Sequence, residues 1–281
     1  VGSRADLAST FYNPASLAYY PDTTALQTAI SFNWSRTGIE AKDLNLELRS
    51  GSSAPLPTLV SVNLPIKFLG SRSLQLSFLK RTNVRMNLNG IAYSPVGADT
   101  NYVVSGSIIR ELFDSWFGIT WSRSFGKEHA VGITGYFSAV ASTYSSVLTT
   151  GTSGDSILGA SSNTDYQTYD NIRFLAKAGY FYEARPISLG LAITTPSLKL
   201  FNTFGEVRSS QTTVVNDSVI TLYGNKQTGL DAEYRTPLSI AFGATWYAPK
   251  TTVFVTVERF DGLEAYTPLQ PEPFTGNILA T

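Results

Sequence analysis

The stretch "NIRFLAKAGYFY", residues 171–182, decides how this chain is read. Ile172, Phe174, Ala176, Ala178, Tyr180 and Tyr182 fall on one parity, and Asn171, Arg173, Lys177 and Gly179 fall on the other. Successive side chains of a strand point to opposite faces, so this period of two predicts a strand with one wholly apolar face. The polar face is small and poor in charge. The outward face of a soluble sandwich would normally carry more Lys and Glu.

The same pattern recurs along the chain. Ile30, Phe32 and Trp34 alternate with Ser and Asn; Phe117, Ile119 and Trp121 with Gly118, Thr120 and Ser122. Leu189, Leu191 and Ile193 oppose Ser188, Gly190 and Thr194, and Ile240, Phe242, Ala244 and Trp246 oppose Ser239, Gly243 and Thr245. An apolar face on lipid and a polar face on a lumen is the pattern of an outer-membrane barrel. Trp34, Trp246 and Tyr247 are read as residues near strand ends, where an interfacial aromatic girdle would sit. The fold class expected is therefore all-β, an antiparallel transmembrane β-barrel.

Composition agrees. The 281 residues carry 21 basic and 21 acidic side chains, a formal net charge of +0, and only 15% charged residues; an ordinary soluble domain has roughly 25%. No basic cluster is dense enough to release many counterions, so no nucleic-acid partner is expected. With 0 cysteines, neither a disulfide framework nor a thiolate metal site can form. No run of about 20 apolar residues occurs, which excludes a transmembrane helix in this sequence and leaves a barrel open.

About eleven or twelve strands are expected, taking roughly ten residues as the unit. They fall near 26–36, 58–68, 73–88, 102–110, 116–125, 130–148, 168–184, 186–202, 212–223, 238–247 and 251–259, with a further candidate at 229–235. "LGSRS" at 69–73, "SFGKEH" at 124–129 and "YAPKT" at 247–251 read as tight periplasmic turns, and the polar run 149–165 as an extracellular loop. The Pro-rich residues 266–281, ending "GNILAT", do not read as a closing strand, so the barrel at 25–281 is expected to lack its final strands or to omit segments.

Signals for enzymatic chemistry are weak, and no activity, metal or cofactor is expected. His129, the one histidine, lies in the turn "GKEHA" with no nucleophile motif beside it and reads as a solvated turn residue. Gly132 and Gly135 resemble a nucleotide-binding pattern only by chance, because they sit inside an alternating strand. One segment invites a binding role. In "LQLSFLKRTNVRMNLNG", residues 74–90, Leu74, Leu76, Phe78, Val84, Met86 and Leu88 share one face, and Gln75, Ser77, Arg81, Asn83, Arg85 and Asn87 the other. If the first face meets lipid, Arg81 and Arg85 point into the lumen, as Arg173 and Lys177 do by the same logic. Guanidinium groups there would hold a carboxylate bidentately, as a fatty-acid headgroup requires. The competing reading pairs these cations with lumenal acids such as Glu258, or places them in a strand extension above the membrane.

The N-terminal "STFYNPASLAYYP", residues 9–21, fits neither strand nor long helix. Pro14 biases Asn13 away from the α region, and a short helical turn starting at Pro14 is expected. Small Ala15, Ser16 and Ala18 allow close backbone packing, and Phe11, Tyr12, Leu17 and Tyr19 argue against free solvation. With Ala5 and Asp6, "FYNPASLA" resembles the N-terminus of the FadL/OmpP1/TodX family of outer-membrane transporters for long-chain fatty acids and other hydrophobic compounds. The stretches 187–201 and 234–247 look like the family's glycine-containing strands beside Ser/Thr-Pro elements. The resemblance implies a barrel of about fourteen strands in the bacterial outer membrane, with residues 1–24 as a hatch inside the lumen carrying Asn13, Pro14 and Ala15. It further implies passive uptake of a hydrophobic, fatty-acid-like molecule, with membrane lipids as surroundings. Fold does not dictate function. The alternative is a barrel of this fold serving as a structural or plugging subunit among other outer-membrane proteins.

Overall fold

The computed structural model describes residues 2, 7–21, 23–42, 45–66, 74–96, 100–153, 159–201, 204–215 and 218–273. The expected turn at 69–73, the motif residues Ala5 and Asp6, and the terminal "GNILAT" lie outside them. The described chain is all-β apart from a short helix, Ser9–Tyr12, and a 3-10 helix, Pro14–Tyr19.

The strands are β1 (Ala25–Ala41), β2 (Leu46–Leu64), β3 (Leu74–Pro95), β4 (Asn101–Phe125), β5 (His129–Ser153), β6 (Gly159–Ala184), β7 (Ile187–Thr194), β8 (Leu198–Lys199), β9 (Gly205–Val215), β10 (Ser218–Leu230), β11 (Ser239–Tyr247) and β12 (Thr252–Phe260). They form one 12-stranded antiparallel sheet ordered β1-β2-β3-β4-β5-β6-β7-β11-β12. β6 is shared: residues 177–184 pair with β7, 173–174 with β8, and 159–169 with β9, whose hairpin partner is β10. β1 and β12 are the two edges of the ladder order.

Several expected elements are longer or differently divided. The polar run 149–165 is mostly strand, because β5 and β6 pair as far as Thr152↔Gly159. The expected strands 102–110 and 116–125 are one strand, β4, and β2 starts well before residue 58. The expected strand 212–223 is a hairpin, β9 with β10, and 186–202 breaks after Thr194. The candidate at 229–235 is not a strand beyond Leu230; Ala232 makes an isolated bridge to Leu269. Trp34 lies in the middle of β1, whereas Trp246 and Tyr247 do end β11.

The sheet has an inner face that covers the N-terminal segment and an outer face that does not. Along β5 the inner residues are Ala130, Gly132, Thr134, Tyr136 and Ser138, all buried, and Ile133 and Phe137 on the outer face are exposed. Neighbouring strands repeat this: Ser188, Thr194, Ser239 and Thr245 are buried, while Ile187, Ile193, Ile240 and Phe242 are exposed. The usual polarity of a folded protein is thus partly reversed: many hydroxyls and amides are buried inside, beside a few large side chains such as Trp116, Leu175 and Phe181, while the outer face is lined by exposed apolar side chains.

The reversal has an upper limit. The row Phe117↔Phe137↔Phe174 is apolar on the outer face; three same-face rows further from the short turns, Glu111↔Thr143↔Thr168 is polar. Above it the outer face of β5 and β6 carries Ser145, Thr149, Ser162 and Thr164. On β3 and β4 the inner face becomes apolar at the same level, where Leu88, Ala92 and Val104 are buried together with Leu46 and Leu48 from β2. A β-bulge between Lys80 and Thr82 produces this exchange on β3. One extra residue on a strand moves every later side chain to the opposite face.

Candidate functional site

The bulge corrects the expected facing of β3. Arg81 is the inserted residue, and its guanidinium lies 4.7 Å from the ring of inner-face Trp116. Arg85, beyond the bulge, turns to the outer face, where it pairs with Glu111 at 2.8 Å and lies over Phe113. Val84, Met86 and Leu88, expected with Leu74 and Phe78, are on the opposite face from them. Arg85 therefore does not join Arg81 on the inner face, where Arg81 itself remains exposed.

Arg173 and Lys177 do face inward, and they differ in availability. Arg173 is 0% exposed. It donates to Asp114 at 2.6 Å and to Ser138 at 3.0 Å, reaches Thr236, and lies 4.7 Å from the ring of Tyr234. Asp114 in turn accepts from Trp116 Nε1 at 2.8 Å and Ser138 Oγ at 2.7 Å. This closed network holds the non-strand residues 234–236 against the inner wall and leaves Arg173 no donor pair for a ligand carboxylate. The acid is Asp114, not Glu258, and nothing in the alternation singled it out. Lys177 lies 4.8 Å from the ring of Phe11 and feels the charges of Glu258 and Arg81. His129 hydrogen-bonds the Tyr180 hydroxyl at 2.7 Å at the short-turn end.

The N-terminal segment occupies the inner face. Asn13 caps the 3-10 helix by accepting from Ala15 N at 3.1 Å, and it donates to Tyr180 O at 3.0 Å. The Thr10 carbonyl accepts from Tyr136 at 2.6 Å, and the Thr10 hydroxyl meets Thr120 at 2.7 Å. Gln75 donates to Leu7 O at 3.0 Å, Asn63 to Thr23 O at 2.7 Å, and Thr245 to Gly2 O at 2.8 Å. These partners come from β2, β3, β4, β5, β6 and β11, so the sheet curls around the segment. Buried polar groups need partners, and each such bond contributes about 0.5–1.5 kcal/mol net. The inner face is polar because it solvates this backbone.

Asn13, Pro14 and Ala15 share one docking place. Gly132 of β5 stands directly opposite Gly179 of β6. A Cβ on Gly132 would come within 2.5 Å of the Pro14 carbonyl, and one on Gly179 within 2.9 Å of Pro14 Cδ and against Asn13 Oδ1. The two glycines form a notch that only a bare backbone leaves open. Gly179→Val should therefore unseat the segment at a cost of about 1–3 kcal/mol, the usual range for overpacking. The measure is protease cleavage within residues 7–21, which should rise in this variant and not in Gly224→Val, whose Cβ meets nothing within 4 Å.

Between the segment and the wall lies a cavity of about 230 Å³, lined by Ala8, Phe11, Leu59, Leu79 and Arg81. It adjoins a parting in the sheet: among the described residues β2 pairs with β3 at Arg49↔Asn89 and then from Leu59↔Leu79 to Leu64↔Leu74. Phe11 packs edge-to-face on Trp116 at 6.0 Å, so Arg81, Trp116, Phe11 and Lys177 form a cation–aromatic row at the edge of an apolar pocket. Among the described residues no carboxylate is paired with Arg81, and no group of His, Cys, Asp and Glu could hold a metal ion. No family model, curated protein or solved structure matches this chain.

Proposed function

We propose that the chain is a β-barrel of the bacterial outer membrane that passively admits hydrophobic molecules of the long-chain fatty acid type, with residues 1–24 as its hatch. The observation that carries the membrane reading is the reversed polarity of the sheet. A tilted membrane strand needs roughly 9–11 residues; β7, β11 and β12 are 8, 9 and 9 residues long. Their outer faces are apolar and exposed, as lipid contact requires. No helix among the described residues is long and apolar enough to cross a membrane, which leaves strands as the means of crossing.

The cavity beside Phe11 supports the transport reading. It offers an apolar wall for a chain and, in Arg81 with Lys177 nearby, an electropositive end for a carboxylate. Arg81→Ala should lower uptake of a fluorescent long-chain fatty acid into proteoliposomes roughly tenfold, the loss of one charged hydrogen bond; unchanged uptake would refute Arg81 as the headgroup partner. The number of strands that hold the N-terminal segment favours the second reading, a permanently plugged subunit of a larger outer-membrane assembly. Ala15 packs against Ala130, so an oxidised A15C/A130C pair separates the two. Uptake abolished by the tether supports a moving hatch. Uptake that survives it leaves the parted wall as the route, and no uptake in any form supports the plugged subunit.

A further inference from the structure

Where the apolar band ends, a cleft of about 1140 Å³ opens through the wall between the β1–β2 hairpin and the β3–β4 pair; Val84 and Met86 line its inner side, and the cations lie at its outer mouth. Its lining includes Phe32 and Trp34 from β1, Lys80, Asn83 and Arg85 from β3, and Phe113 from β4. Lys80 Nζ and the Arg85 guanidinium each lie 5.7 Å from the centre of the same Phe113 ring, so the two cations flank one aromatic side chain on one face. Glu111 pairs with Arg85. Among the described residues no carboxylate is paired with Lys80, and the cleft keeps a net positive charge. Phe32 and Trp34 are 82% and 86% exposed.

We propose that this cleft binds the phosphate of an anionic membrane lipid, with Lys80 and Arg85 on the phosphate and the acyl chains descending along Phe32 and Trp34. The inference rests on the membrane reading above. Its own grounds are depth and charge. The cations stand at the row where the outer face changes from apolar to polar, which is where headgroups lie, and interfacial Lys and Arg attract anionic lipids. The bulge is what brings them there: without it Arg85 would point inward, away from the outer-face side chain of Lys80.

The test uses the full chain purified in a phosphate-free maltoside detergent. It is titrated separately with phosphatidylglycerol, a galactosyl diacylglycerol of the same chains, and inorganic phosphate, and one-to-one adducts are read by native mass spectrometry. A saturable adduct with phosphatidylglycerol is expected, at least tenfold weaker in K80Q/R85Q and unchanged in Lys127→Gln at the short-turn end. Equal binding of the galactolipid, inorganic phosphate binding as tightly as the lipid, or adducts that survive K80Q/R85Q would each overturn the cleft while leaving the barrel reading intact. A chain that is monodisperse without detergent and takes up no lipid would overturn both. An unchanged heat-modifiable gel shift shows that the variant is folded.

Discussion

Replacing Arg173 with methionine should destabilise the protein by about 3–5 kcal/mol, the cost of stripping one partner from a buried ion pair. Asp114 would remain at 2% exposure with its charge uncompensated. Trp116 Nε1 and Ser138 Oγ would still donate to it, and neither carries a formal charge. The loss reaches beyond the pair. Thr236 and Tyr234 are held to the wall through this guanidinium, so residues 234–236 should loosen as the interior anchor goes. Adding Asp114→Asn removes the orphaned charge and keeps an acceptor for Trp116, so the double variant should recover most of the loss. Urea unfolding in lipid–detergent micelles measures all three. A neutral Arg173→Met would mean that water reaches Asp114 and that the network is not closed.

The second large effect concerns the outer face. Phe137 is exposed and packs edge-to-face with Phe174, ring centres 5.6 Å apart. On a protein surrounded by water, Phe137→Arg would be a surface change worth no more than about 0.5 kcal/mol. In a bilayer the same change should cost about 2–4 kcal/mol near the midplane. Thr143→Arg provides the internal comparison, because it lies on the same face of the same strand above the polar boundary, opposite Glu111. Folding into phospholipid vesicles should therefore be impaired by the first substitution and indifferent to the second. If both are equally benign, the apolar face does not meet lipid.

What could be read in advance follows from where the chain is regular. On β6 the alternation runs unbroken through residues 171–182, and Arg173 and Lys177 face inward as the pattern requires. On β3 the same logic fails at Arg81, because "KRTNVRMN" alternates plausibly in either register and carries no glycine or proline to mark a bulge. The outer ends of β5 and β6 resembled a loop because both of their faces are rich in Ser, Thr and Asn, so no apolar stripe betrays the strand. Nothing in the sequence singles out Asp114, because it falls between two expected strands that are one. The glycine notch needed the cross-strand register: Gly132 and Gly179 are far apart in sequence, and only pairing brings them together under Pro14.

The bulge at Arg81 gives β3 something like a reading frame. Removing that one residue would leave the strand's length and composition nearly intact, yet every side chain beyond it would be translated to the wrong surface. Asn87 and Asn89 would enter the cluster now formed by Leu88 and Ala92 with Leu46, Leu48 and Val104, and Leu88 and Ala92 would be turned out. Insertions and deletions at residues 80–82 are therefore not equivalent to those in a turn: a single one is a frameshift of the wall, and only a compensating one further along the same strand restores the sense.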